Sequence, residues 1–139
     1  MKLLDFIICD DVRQEVGDKF TLVGMYSDVI QMHLKGVKEI KWPVAMHLAM
    51  FTRFLYEKTD EKPDSFRIEF ILEGKPLSYV EGNINLPADT GILNINSVMN
   101  PFFFTNQGVL SFIAQFKKDG KTKIEIKPEY KLEIKVRID

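Results

Sequence analysis

One short stretch, Cys9-Asp10-Asp11, places the chain's only cysteine beside two carboxylates. A nucleophilic cysteine needs a base next to it, and the only histidines are His33 and His47. No third residue that would orient such a pair is indicated by its spacing. Cys9 also follows the apolar run "FII", which is typical of a small buried hydrophobic residue. We therefore predict that Cys9 is not catalytic and that the protein is not an enzyme.

The acids near this stretch suggest a second chemistry, because carboxylates that meet at one end of a fold can bind calcium. The candidates are Asp10, Asp11, Glu15, Asp18 and Asp28. Calcium takes roughly six to eight oxygen ligands from loops of defined spacing, and no such spacing is present. Short acidic side chains also bond local backbone donors where a strand ends. We expect a strand end at Asp10 and a turn through Gly17-Asp18, with no metal site.

The composition argues against several classes of partner. The net charge is −1 over 139 residues, so no overall field attracts nucleic acid or an anionic membrane. No zinc-ligand set or phosphate-binding glycine loop is present. No apolar run approaches the ~20 residues of a membrane span, and one cysteine cannot form an internal disulfide. We expect a cytoplasmic protein with no cofactor, no nucleic-acid or membrane partner and no evident small-molecule ligand.

The elements that must position these residues are strands, because the dominant hydrophobic period is two. "YKLEIKVRID", "SFRIEFIL" and "VLSFIAQF" all alternate apolar and polar residues, which indicates half-buried antiparallel strands. Turn signals separate them: "KKDGKTK", "EGKP" and "TDEKPD". We predict one domain, residues 1–139, with eight or nine strands: 3–10, 19–30, 43–57, 65–73, 77–86, 91–98, 108–117, 121–127 and 129–138.

One predicted strand differs from the others because both of its faces are apolar. In "WPVAMHLAMFTRFLYE", one phase holds large residues such as Leu48 and Met50, and the other holds Ala45, Ala49 and Phe51. Such a strand is central in its sheet or has a second layer packed over it. The small alanines predict that another part of the chain approaches this second face closely.

Many short strands with regular turns predict an all-β sandwich or barrel. Four segments also resemble an uncharacterised bacterial family of small β-sandwich proteins: "ICDDV", "DKFTLVGMYSDVI", "FRIEFILEGKPL" and "NPFFFTNQGVLSFIAQFKKDGK". Leu110 stands where that family usually has an aromatic residue. The resemblance implies an antiparallel β-sandwich of the immunoglobulin-like or C2-like kind. It implies no activity and assigns no functional residue.

The three phenylalanines of "NPFFFTNQG" suggest an interaction surface. Neighbouring residues of a strand face opposite ways, so Phe103 faces out if Phe102 and Phe104 face in. We predict a patch of Phe103, Val109, Ile113 and Ile71 that serves self-association or binding of a protein partner. The alternative is a ligand-binding domain for a carbohydrate or calcium, which would use loop acids and the aromatic residues Trp42 and Tyr26.

Overall fold

The computed structural model describes residues 1–58 and 61–139, and regular structure in these ranges consists of strands. Ten strands are present, one or two more than predicted. They are β1 (Lys2–Glu15), β2 (Lys19–Met25), β3 (Val29–Leu34), β4 (Val44–Tyr56), β5 (Ser65–Leu72), β6 (Lys75–Asn83), β7 (Gly91–Phe104), β8 (Gly108–Lys118), β9 (Lys121–Ile126) and β10 (Leu132–Ile138).

The strands form two sheets that pack as a sandwich, which confirms the predicted fold class. The first sheet has the order β2-β1-β4-β7. The second has the order β3-β10-β8-β5-β6, and β9 pairs with the far end of β8. All pairs are antiparallel except β3 with β10, which run parallel. β4 is therefore an internal strand of its sheet, as its two apolar faces predict.

Side chains from the inner faces of both sheets form the core. The alternation in β8 is confirmed, since Leu110, Phe112, Ala114 and Phe116 are all buried. Phenylalanine rings join the two layers: the centroids of Phe54 and Phe116 are 4.9 Å apart, with the rings nearly perpendicular. Such edge-to-face pairs add about 1 kcal/mol beyond the area they bury.

Two tight turns follow the predicted turn chemistry. Glu73-Gly74 between β5 and β6, and Asp119-Gly120 between β8 and β9, both have positive φ at each residue. Two successive positive φ values match the twist of an antiparallel hairpin, and residues such as aspartate and glycine accept them readily. The break predicted at "TDEKPD" includes Thr59 and Asp60, which lie outside the described residues.

The largest differences from the predicted strand boundaries concern β1, the segment 19–30 and β7, while the ends of β6 and β10 shift by two or three residues. β1 continues through Asp10 and Asp11 to Glu15, because these residues pair with β2, so the predicted strand end at Asp10 is wrong. The turn lies at 16–18, where Gly17 and Asp18 have positive φ as expected. The segment 19–30, predicted as one strand, is interrupted at 26–28, and β3 continues in the other sheet. β7 runs on to Phe104.

The hairpin of β1 and β2 bends over the outer face of the first sheet. We call its distal part, Asp10–Met25, the arm. Phe20 pairs with Gln14, and Phe51 pairs with Ile7, so a straight β1 would hold the two phenylalanines about 23 Å apart. Their ring centroids are instead 5.7 Å apart. The arm therefore turns back across β4.

This arrangement supplies the second layer predicted above β4. Cys9, Ala49 and Phe51 are buried although they do not belong to the core between the sheets. Ala45, in the same phase, remains exposed. The small side chain of Ala49 thus lies at a covered position of the outer face, while Ala45 lies beyond it.

Candidate interaction surface

The last strand of the first sheet carries three half-exposed apolar side chains. Ile92, Val98 and Phe103 of β7 are 50%, 50% and 51% exposed, whereas Phe102 and Phe104 are buried as the alternation predicts. In the described part of the chain, β7 pairs with β4 alone. No charged residue occurs in the sequence range 90–116, so β7 is entirely uncharged. The surface is therefore an apolar sheet edge.

The four residues of the predicted patch are divided between the two sheets. Phe103 lies on β7 of the first sheet, and the other three lie on β5 and β8 of the second: Ile71, Val109 and Ile113. Ile71 is opposite Ser111 and so lies between Val109 and Ile113 on the neighbouring strand. The outer faces of a sandwich point away from each other. The structure brings these three residues together and leaves Phe103 on a separate surface.

The outer face of the second sheet carries charges near those three residues. The guanidinium of Arg67 lies 3.8 Å from the ring centroid of Tyr79, and its Nε and Nη1 atoms contact Glu69 at 3.1 Å and Glu81 at 3.3 Å. Glu69 is directly opposite Ile113. Charged groups are depleted from the cores of protein interfaces. The uncharged edge of the first sheet is therefore a better candidate for a protein-interaction site than the outer face of the second sheet.

A cleft of about 610 Å³ lies between the arm and the outer face of the first sheet. Its apolar lining comes from both parts, with Phe20 and Leu22 on the arm and Ile7, Phe51 and Ile92 on the sheet. Arg53 and Asp5 form an ion pair at the cleft, with Asp18 and Lys19 of the arm nearby. The cleft opens beside the free edge of β7, because Ile92 and Asn94 belong to its lining.

The environment of Cys9 does not favour a thiolate. Burial, together with the negative charge of Asp10, raises the pKa of the thiol from 9.0 to about 11. Its sulfur contacts the backbone carbonyl oxygens of Asp11 and Ala49 at 3.4 and 3.9 Å. His47 Nε2 lies 3.9 Å from Oδ1 of Asp11. Cys9 therefore stays protonated at neutral pH and behaves as a buried apolar residue.

Asp10 has a structural partner in the residue that directly follows β2. Its carboxylate accepts a hydrogen bond from the hydroxyl of Tyr26, and burial and this bond raise the pKa of the tyrosine. Gly24 lies opposite Asp10 with φ of +66°, and a Cβ atom at this position would overlap the Asp10 carboxylate.

The acids considered for calcium are dispersed. Asp10 and Asp11 are at the base of the arm, Glu15 and Asp18 are at its turn, and Asp28 lies outside the arm, between β2 and β3. Residues 1–58 and 61–139 contain no group of three or more His, Cys, Asp or Glu side chains placed to hold a metal ion. The aromatic residues of the same alternative, Trp42 and Tyr26, are half-buried against the core.

Comparisons add no information about identity. No protein family, curated protein or solved structure matches the chain. In the ranges described, no helix is long and apolar enough to cross a bilayer.

The sequence prediction missed the residues that make the free edge and the cleft. Ile92 and Val98 were assigned to a strand, but an edge strand cannot be distinguished from a central one by alternation. The available signal is the uncharged sequence from Thr90 to Phe116. Phe20 and Leu22 were also missed, because nothing local predicts that a hairpin bends over its own sheet.

Proposed function

We propose that the chain is a non-enzymatic β-sandwich module that binds a protein partner through the outer face and free edge of its first sheet. One observation carries this proposal: β7 is a long edge strand without charge that exposes Ile92, Val98 and Phe103. Exposed edges usually carry charged residues, proline or a bulge that prevents pairing with another chain. In β7, Pro101 and the bulge opposite Met46–Leu48 lie near its C-terminal end, and the segment from Ile92 to Val98 has none of these features. Three large apolar side chains exposed along one unpaired, uncharged strand are more than the scattered single residues of an ordinary surface and favour an interaction site.

Two further parts of the proposal have support of their own. A cytoplasmic location agrees with a single cysteine that is buried and reduced. Membership of the bacterial β-sandwich family that the chain resembles agrees with its two-sheet architecture.

Site-specific photo-crosslinking tests the interaction. A benzophenone amino acid in place of Phe103 should yield covalent adducts in an extract of the source cells. The matched control carries the same group in place of Tyr79, which is equally exposed but lies on the second sheet. Adducts from position 103 alone would support the proposal. No adducts, or equal yields from both positions, would contradict it.

The second candidate function is a ligand-binding domain, and the cleft under the arm favours it. Its volume lies in the range of small-molecule pockets, roughly 300–1,000 Å³. A sugar ring could stack on the Phe20 side chain, whereas the described acids offer calcium no cluster. The test is to measure the melting temperature of the protein in solution with each member of a panel of carbohydrates. A rise in melting temperature that Phe20→Ala abolishes would support this function. No rise with any carbohydrate would contradict it.

A further inference from the structure

The free edge of β7 presents unpaired backbone groups. Ladder hydrogen bonds alternate along a strand, so every second residue directs its N–H and C=O away from β4. The bond from the N–H of Tyr26 to the carbonyl of Ile8 fixes this alternation across the sheet. The outward-directed residues of β7 are Ile92, Asn94, Asn96 and Val98.

The other edge strands are less able to pair with another chain. β6 and β9 carry charges, at Lys75 and Glu81 and at Lys121, Lys123 and Glu125. β2 and β3 have only seven and six residues. β7 has fourteen residues and no charge. Of the edges in the described structure, β7 therefore combines the greatest length with the least electrostatic protection.

An uncharged strand is suited to pairing with its own copy. When two identical strands pair antiparallel about a two-fold axis, each residue faces the position reflected through that axis, and like charges that face each other destabilise a sheet. β7 carries no charge, so it meets no such repulsion in any register. With the axis at Ile95, Ile92 lies opposite Val98 of the second copy and Asn94 lies opposite Asn96. This register joins apolar to apolar and amide to amide, and forms roughly eight backbone hydrogen bonds.

An unsatisfied acceptor lies at the centre of this register. Asn96 Nδ2 donates to Asn94 Oδ1 at 2.7 Å, but Asn96 Oδ1 is buried without a hydrogen-bond partner. An acceptor that is buried without a partner destabilises the chain, because it has lost its hydrogen bonds to water. Asn94 Nδ2 donates one hydrogen to the carbonyl oxygen of Thr52 at 2.9 Å and has a second hydrogen left. In the paired register Asn94 of the second copy lies opposite Asn96, and a rotation of the Asn96 carboxamide would let this second hydrogen bond to Oδ1.

We propose that the chain forms a two-fold dimer in which β7 of each copy pairs antiparallel about Ile95, so that the two first sheets become one sheet of eight strands. This inference rests on the proposed function and identifies the partner as a second copy of the chain. The cleft under the arm adjoins this interface, because Ile92 and Asn94 belong to its lining.

Oligomeric mass and a charge-exchange pair test the dimer and its register. The chain mass is 16.1 kDa, and sedimentation equilibrium at micromolar concentration should give twice this value. Ile92 and Val98 are half-exposed, so the fold should tolerate replacements there. The variants I92K/V98K and I92E/V98E should each raise the dissociation constant at least tenfold, since like charges then face each other. Their equimolar mixture should restore the dimer. The control Y79K/V109K adds two lysines to the second sheet and should remain dimeric.

Each outcome distinguishes this inference from the proposed function. A monomeric wild type at all concentrations would overturn the dimer, while adducts to a different protein at position 103 would still support the interaction module. A dimer that I92K/V98K and I92E/V98E both leave intact would overturn the β7 interface. If I92K/V98K and I92E/V98E do not dimerise with each other in the equimolar mixture, the register would be overturned. Hydrogen exchange of the wild type needs no variant: the amides at 92, 94, 96 and 98 should slow as the concentration rises, and unchanged rates would overturn the proposal.

Discussion

Phe20 of the arm packs edge-on against Phe51 of β4, with ring centroids 5.7 Å apart, although the two residues belong to strands separated by β1. This contact holds the arm over the outer face of the first sheet. It explains why Phe51 is buried on a face that would otherwise be exposed to solvent.

Phe20→Ala should loosen the arm and lower the free energy of unfolding by about 1–2 kcal/mol, roughly half the cost of truncating a fully buried phenylalanine. Trypsin should then cleave after Lys19 faster. The control is Phe66→Ala, a half-buried phenylalanine of the second sheet, which should lower stability without a specific increase at Lys19. Equal cleavage rates in the two variants would show that the arm is not held by Phe20.

Gly24→Ala should be far more destabilising than Gly36→Ala. Both glycines have φ near +70°, so both alanines bear the strain of a left-handed conformation, roughly 1 kcal/mol. Only at Gly24 does the new Cβ also overlap the Asp10 carboxylate, since nothing lies within 4 Å of the corresponding position at Gly36. Urea unfolding should give a difference of at least about 1 kcal/mol. Equal losses would mean that Asp10 moves aside freely.

Stability should fall as the pH rises from 9 towards 11. The pKa of the Cys9 thiol is 9.0 when unperturbed and about 11 in the folded chain. The unfolded chain therefore loses this proton first, and deprotonation favours unfolding. Between pH 9 and 10 the wild type should lose about 1 kcal/mol more than Cys9→Ala, as urea titrations at each pH would measure. Parallel pH profiles would refute the raised pKa.

Millimolar calcium should leave the melting temperature unchanged. Calcium at 1 mM would stabilise the folded protein by roughly 2.7 kcal/mol if it bound a site with a dissociation constant of ~10 µM. This would raise the melting temperature by several degrees. The described acids are dispersed and meet in no cluster. A shift of that size, lost in D10N/D11N, would contradict this expectation and revive the calcium form of the ligand-binding function.

Local patterns predicted the fold class because strands such as β5, β8 and β10 carry their own alternation, and characteristic turn residues separate many of the strands. Asp119-Gly120 and Gly17-Asp18 are examples in which the residue type directly fixes a positive φ. The ends of β1 and β7 could not be predicted in this way. Asp10 and Asp11 are typical turn residues, but the long-range pairing with Gly24 and Val23 keeps them in a strand.

The interaction surface was predicted only in part, for the same reason. Alternation correctly oriented Phe103, but grouping it with Val109 required knowing that the chain changes sheets between β7 and β8. Sheet order depends on contacts between distant segments, and no local pattern contains that information. The edge position of β7 and the bend of the arm both depend on it.

The parallel pairing of β3 with β10 constrains the order of events during synthesis. β3 ends at Leu34, and the one strand that pairs with it among residues 1–58 and 61–139 begins at Leu132. A ribosome adds roughly 5–20 residues per second, so β3 emerges several seconds before that partner is made. During this interval the apolar side chains of Ile30 and Met32, which are buried in the finished sandwich, have no strand beside them. Closing so long a loop is slow, so completion of the second sheet should limit the folding rate, and nascent chains should depend on protection of β3 until the last strand emerges.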